Sequence, residues 1–145
     1  MMGRLARATR AAGGHTVGVI PEALRGREVA DLDADELVVT QNMRERKGIM
    51  DERAEAFLAL PGGIGTLEEL MEVWTSGALA MHDKPVVALD PWGDFALLRA
   101  QVDAWIDGGF VSQDSLTRVR WAATVDQAIE AVTAPVLPSA DSVME

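Results

Sequence analysis

The order of apolar and polar positions divides the chain into alternating helices and strands. Residues 3–12 (GRLARATRAA) carry Leu5, Ala8 and Ala12 at helical spacing, and Gly13-Gly14 supplies a left-handed stop. A first strand is predicted over 15–20 (HTVGVI), an apolar, β-branched run closed by Pro21. Residues 25–35 are charged and aperiodic, the pattern of a surface loop. A second strand over 37–40 leads to Asn42, a suitable N-cap for a helix over 43–54. The third strand, 56–60, runs into Pro61 and the glycines Gly62, Gly63 and Gly65, after which Thr66 opens a helix predicted over 66–80. Residues 85–89 (PVVAL) read as a fourth strand, and 95–106 as an amphipathic helix ending at Gly108-Gly109. A short strand over 119–122 and a helix over 125–132 complete the pattern, and 135–145 lacks any periodicity.

Short strands that are apolar on both faces and alternate with helices imply an α/β fold, a Rossmann-like parallel sheet flanked by helices. There is no internal repeat and no linker, and 145 residues suffice for a single domain. The expectation is one domain over 1–134 and a flexible tail over 135–145. Such an architecture normally opens on a strand, whereas this chain opens on a helix. A sheet lacking its first strand is therefore expected.

Composition narrows the function classes. The chain has no cysteine, so disulfides and thiolate metal sites are excluded, and its two histidines, His15 and His82, lack the spacing of a metal pair. The net charge of −10 is uneven: residues 1–53 carry nine basic and nine acidic side chains, and the remainder four and fourteen. That balance argues against nucleic-acid binding, which needs a basic surface. No run approaches a membrane span and no apolar leader core is present, so a cytoplasmic protein without membrane contact is expected. The Arg-rich segment 1–12 reads as a helix face rather than a transit peptide.

The chemistry concentrates at 56–70. Strand, glycine loop and helix N-terminus together form the usual cradle for a phosphate, because glycines admit the ligand to the backbone and the helix dipole favours an anion. Glu68 and Glu69 sit oddly there, since carboxylates near a phosphate cost electrostatic energy. They have either a chemical role or a local one, complementing the positive helix end. For Glu69 the local reading is specific: with Thr66 as N-cap it would complete a capping box. Arg44 and Lys47, three apart, share roughly one helix face. Met71, Trp74, Leu79 and Met81 on or near the long helix suit either an interface or the core.

Two stretches taken together are more specific. MRERK at 43–47 and PGGIGTLEE at 61–69 resemble the signatures MxxRK and PGGxGTxxE of the LOG ("Lonely Guy") family, cytokinin-activating phosphoribohydrolases often mislabelled as lysine decarboxylases. GVIPE at 18–22, KPVVAL from Lys84 and GGF at 108–110 agree with it. The resemblance implies a Rossmann-like nucleotide-binding fold and hydrolysis of the N-glycosidic bond of N6-modified adenosine 5′-monophosphates, giving the free base and ribose 5-phosphate. By motif, Arg46 and Glu69 are the implied catalytic pair, and Met43, Lys47, Gly62, Gly63, Gly65 and Thr66 the implied phosphate and substrate contacts. No cofactor and no metal are implied, and the assembly implied is a homodimer or an assembly of dimers. Family members begin with a further strand and glycine-rich turn, of which Met2-Gly3 resembles the end. A lysine decarboxylase would need a pyridoxal phosphate lysine. The chain has only Lys47, within the basic motif, and Lys84, directly before a strand. The competing reading is a non-catalytic nucleotide or cofactor carrier on the same fold, related to the molybdenum-cofactor carrier proteins.

Overall fold

Helix α1 (Met2–Ala11) ends as its two glycines dictate. Gly13 takes φ +80°, and the N–H groups of Gly13 and Gly14 reach back to the carbonyls of Arg10 and Thr9, which satisfies the last turn. A side chain at Gly14 would place its Cβ 2.7 Å from the Thr9 methyl group, so the second glycine is required by contact. The computed structural model describes residues 2–26 and 30–134, which divide into two compact units, one ending at Ala54 and one beginning at Glu55. The predicted tail at 135–145 lies outside the described residues, as does part of the loop expected over 25–35.

In the first unit, β1 (Val17–Pro21) and β2 (Glu36–Thr40) pair in parallel, with Val17 opposite Glu36 and Pro21 opposite Thr40. Between the first strand and the loop predicted from residue 25, a single helical turn, α2 (Glu22–Arg25), follows Pro21; it is too short to leave a periodic pattern. Helix α3 (Met43–Arg53) starts at Asn42, whose side chain accepts the Glu45 N–H at 3.0 Å, while the Glu45 carboxylate accepts the Gln41 N–H at 2.6 Å. Replacing Asn42 with alanine removes that cap and should lower stability by about 1 kcal/mol, read as a shift in the urea midpoint.

The segment ahead of β2 is fastened to α1 by carboxylates. Arg10 grips Asp31 through both terminal nitrogens, at 2.9 and 3.2 Å, and also donates to the Thr16 hydroxyl. Asp35 accepts the Thr16 N–H at 2.7 Å and its hydroxyl at 2.8 Å. The Arg10 hydrogen bonds hold Asp31 below the ordinary carboxylate range, and those from Thr16 do the same for Asp35. Because both folded values lie below the unfolded ones, the stability they contribute is present above the ordinary carboxylate pKa and is lost as pH falls through the depressed values. Asp31→Asn and Asp35→Asn should flatten the acid limb of a circular-dichroism pH titration.

The second unit is a three-stranded parallel sheet in the order β3 (Phe57–Ala59), β4 (Val86–Leu89), β5 (Val119–Ala122). Every residue of β4 is buried, as a central strand covered on both faces demands. Alternation along β4 splits the core in two. Val86 and Ala88 pack with Leu70 and Trp74 of α4 (Ile64–Ala78), with Phe95, and with Val102 of α5 (Ala96–Asp107). Val87 and Leu89 pack with Ala122 and with Ala128 of α7 (Val125–Thr133). Trp74 is 5 % exposed and its indole N–H donates to the Ser115 carbonyl at 2.6 Å, so it belongs to the core of this unit rather than to an outer face. Ser115 lies in α6 (Gln113–Thr117), a short turn capped by Ser112 that sequence periodicity did not reveal. His82 is also structural: Nε2 meets the Val73 carbonyl at 2.9 Å and Nδ1 accepts the Lys84 N–H at 3.1 Å. Parallel strands flanked by helices are the α/β architecture the sequence predicts.

Candidate active site

In each unit the sequence motif stands at the carboxyl ends of parallel strands, the edge where open α/β sheets bind ligands. In the first unit, Met43 is the first residue of α3 and is exposed, while Arg46 and Lys47, one turn further, are half-buried. Arg46 reaches back to β1, its Nε donating to the Val19 carbonyl at 3.1 Å. That bond fixes the plane of the guanidinium against the sheet. Arg44 is exposed.

In the second unit, β3 leads through Leu60 and Pro61 to the glycine loop, and the loop differs from expectation at one point. Helix α4 begins at Ile64 with Gly63 as its N-cap, two residues before Thr66. No side chain caps it, and the hydrogen-bond ladder opens with Thr66 N–H on the Gly63 carbonyl at 3.0 Å. The capping box of Thr66 and Glu69 is therefore not formed. Thr66 lies inside the first turn and Glu69 is the sixth residue of the helix, beyond the reach of the dipole effect at its first turn. The helix starts early because Gly63 takes the extended conformation of an N-cap (φ −89°, ψ −155°), which sequence spacing did not distinguish from loop.

The three glycines have different reasons to be glycine. A Cβ at Gly62 would strike Thr66, whose own Cβ would be 3.0 Å away, so the loop folds tightly over that side chain. At Gly63 and Gly65 a Cβ would meet nothing within 4 Å, and neither has positive φ. Glycine at the second position of a helix costs roughly 0.5–1 kcal/mol relative to alanine. Neither packing nor backbone conformation calls for it here, which leaves open space above unencumbered backbone at a positive helix end, the arrangement that accepts an anion.

Glu69 follows Gly65 and Thr66 by one turn, so it shares their face of α4. It is half-buried whereas Glu68 is exposed, a difference the sequence did not show. Lys84, the other lysine, lies with its ammonium 5.7 Å from the Phe57 ring centroid. No group of three or more metal-ligating side chains occurs among the described residues, and no helix among them is long and apolar enough to cross a membrane.

Comparison with known proteins bears on both motifs together. A family model described as possible lysine decarboxylase matches residues 2–132. The cytokinin riboside 5′-monophosphate phosphoribohydrolase of Mycobacterium marinum is 55 % identical over 130 residues, which are 90 % of this chain and 70 % of that protein. Its namesake in Mycobacterium tuberculosis is 53 % identical over the same shares. A probable enzyme of that name from Oryza sativa is 45 % identical over 111 residues, 77 % of this chain and 49 % of that protein. The matches run through the glycine loop, α4 and the basic helix α3 alike, and the chain belongs to this family, the LOG family whose two signatures it carries.

Proposed function

We propose that this protein is a nucleoside 5′-monophosphate phosphoribohydrolase, releasing the free base and ribose 5-phosphate from N6-modified adenosine 5′-monophosphates. The observation that carries the reading is the open glycine backbone at the start of α4 with Glu69 one turn behind it, in a chain 55 % identical to a protein named for this reaction. Gly62, Gly63, Gly65 and Thr66 hold the 5′-phosphate, and Met43 and Lys47 add substrate contacts. Residues 1–134 are the nucleotide-binding domain.

The reaction breaks the bond between C1′ and the base nitrogen. As that bond stretches, positive charge grows on the ribose, and a carboxylate beside the sugar stabilises it or orients the attacking water, as in glycoside hydrolysis. Glu69 takes this role. Water supplies the hydroxyl that ends on C1′, and its proton leaves with the base. A guanidinium is a donor with no lone pair to accept a proton, so Arg46 is not assigned as the base of the reaction. Its forked donors suit the phosphate or the ribose of the substrate.

The protein works as a homodimer or an assembly of dimers in the cytoplasm, without nucleic acid. Leu79 and Met81, at the end of α4 and 67 % and 74 % exposed, supply apolar surface for that association. A carrier on the same fold would bind nucleotide and leave it intact. Incubation with N6-isopentenyladenosine monophosphate and with AMP, followed by chromatography for free base, separates the two: the enzyme turns over many equivalents, and a carrier returns the nucleotide unchanged.

A further inference from the structure

Two large apolar side chains stand in solvent at the edge that carries the glycine loop. Ile64, the first residue of α4, is 88 % exposed, and Trp92, in the turn after β4, is 73 % exposed. β3 and β4 are neighbours in parallel register with Ala59 opposite Ala88. Pro61 and Asp90, each two residues beyond that pair, therefore leave the same edge on adjacent strands, which run about 4.8 Å apart. The glycine loop and the turn bearing Trp92 start side by side.

That turn is fixed at both ends. The Asp90 N–H donates to the Ala122 carbonyl at 2.7 Å, and the Asp90 carboxylate accepts the Phe95 N–H at 3.3 Å. Gly93 takes φ +78°, its carbonyl receives the Ala96 N–H at 3.1 Å, and Phe95 is buried in the core. Trp92 is thus held out from an anchored turn. The other three tryptophans are covered: Trp74 is buried, and Trp105 and Trp121 are half-buried.

We infer that Trp92, with Ile64, forms the apolar wall against which the base and its N6 substituent lie. The inference rests on the phosphoribohydrolase reading. A nucleoside monophosphate carries an anion at one end and a flat, weakly polar base at the other, one ribose apart. With the phosphate on the glycine loop, the base falls beside the loop or beside the turn next to it. An indole face offers stacking to any purine, and a branched aliphatic side chain adds contact without hydrogen bonds. Such a wall cannot read the N6 hydrogen-bonding pattern, but it rewards added carbon on N6. Substrates with an apolar N6 group are therefore favoured over AMP.

Steady-state kinetics on the full chain test this with N6-isopentenyladenosine monophosphate and AMP as paired substrates. In Trp92→Ala, KM for the isopentenyl nucleotide should rise about tenfold, KM for AMP clearly less, and kcat stay within about twofold of wild type. Trp92→Phe, which keeps an aromatic face, should restore most of the loss. If Trp92→Ala does not fold by circular dichroism, Trp92→Ser, which also removes the apolar face, takes its place with the same expectation. The inference is overturned by KM values unchanged on both substrates, or by an equal loss on both that tracks a change in oligomer mass on size exclusion. Absence of base release from either nucleotide by the wild-type chain would instead strike the phosphoribohydrolase reading itself.

Discussion

Replacing Glu69 with alanine is expected to slow base release by at least about a hundredfold while leaving nucleotide binding intact, because in the proposed mechanism it removes charge stabilisation present only in the transition state. The fold should tolerate the change. Glu69 is half-buried on α4 and does not cap the helix, whose N-cap is the Gly63 backbone, so helix initiation does not depend on it. Removing a carboxylate from the face that also carries Gly65 and Thr66 relieves repulsion toward a bound phosphate, and affinity for AMP should hold or tighten. Glu69→Gln provides the isosteric control: it preserves shape and loses charge, and it should be nearly as slow as the alanine variant. Loss in kcat with KM unchanged or lowered is the pattern that marks a transition-state contact.

Arg46→Lys should cost about ten- to a hundredfold in kcat/KM, although charge is conserved. The arginine donates through Nε to the Val19 carbonyl at 3.1 Å, and its two terminal nitrogens belong to the same rigid plane. A lysine has one nitrogen on a flexible stem and cannot keep the strand contact and the forked geometry together. Losing the bond to Val19 should also lower stability by about 1 kcal/mol. The two effects separate in measurement: melting reports the strand contact, and a KM-against-kcat comparison reports the substrate contact. Arg44, exposed on the same helix, provides the reference position, where alanine should change neither by much.

Much of the fold is legible in the sequence because its elements are written in strong local signals. Gly13-Gly14 stops α1 through a positive φ and a contact with Thr9, and Asn42 caps α3 through its own side chain. PVVAL is apolar at every position because β4 is covered on both faces. The misses are short or set by tertiary contact. α2 and α6 span one turn each, below the length at which periodicity speaks. Trp74 is indistinguishable by spacing from an interface residue, and only the buried hydrogen bond to Ser115, 41 residues away, places it in the core. At the site, the motif residues are legible as a set, but the role of Glu69 was ambiguous while Thr66 could serve as N-cap. The Gly63 backbone conformation removed that alternative, and it is not encoded in any spacing.

Single-turnover mass balance, with protein in excess over N6-isopentenyladenosine monophosphate, separates a Glu69 that drives N-glycosidic hydrolysis from one that does not. The predicted result is N6-isopentenyladenine and ribose 5-phosphate appearing at equal rates from the wild-type chain, and intact, bound nucleotide from Glu69→Ala. Release of nucleoside with inorganic phosphate, or base release undiminished in Glu69→Ala, would contradict hydrolysis driven by Glu69.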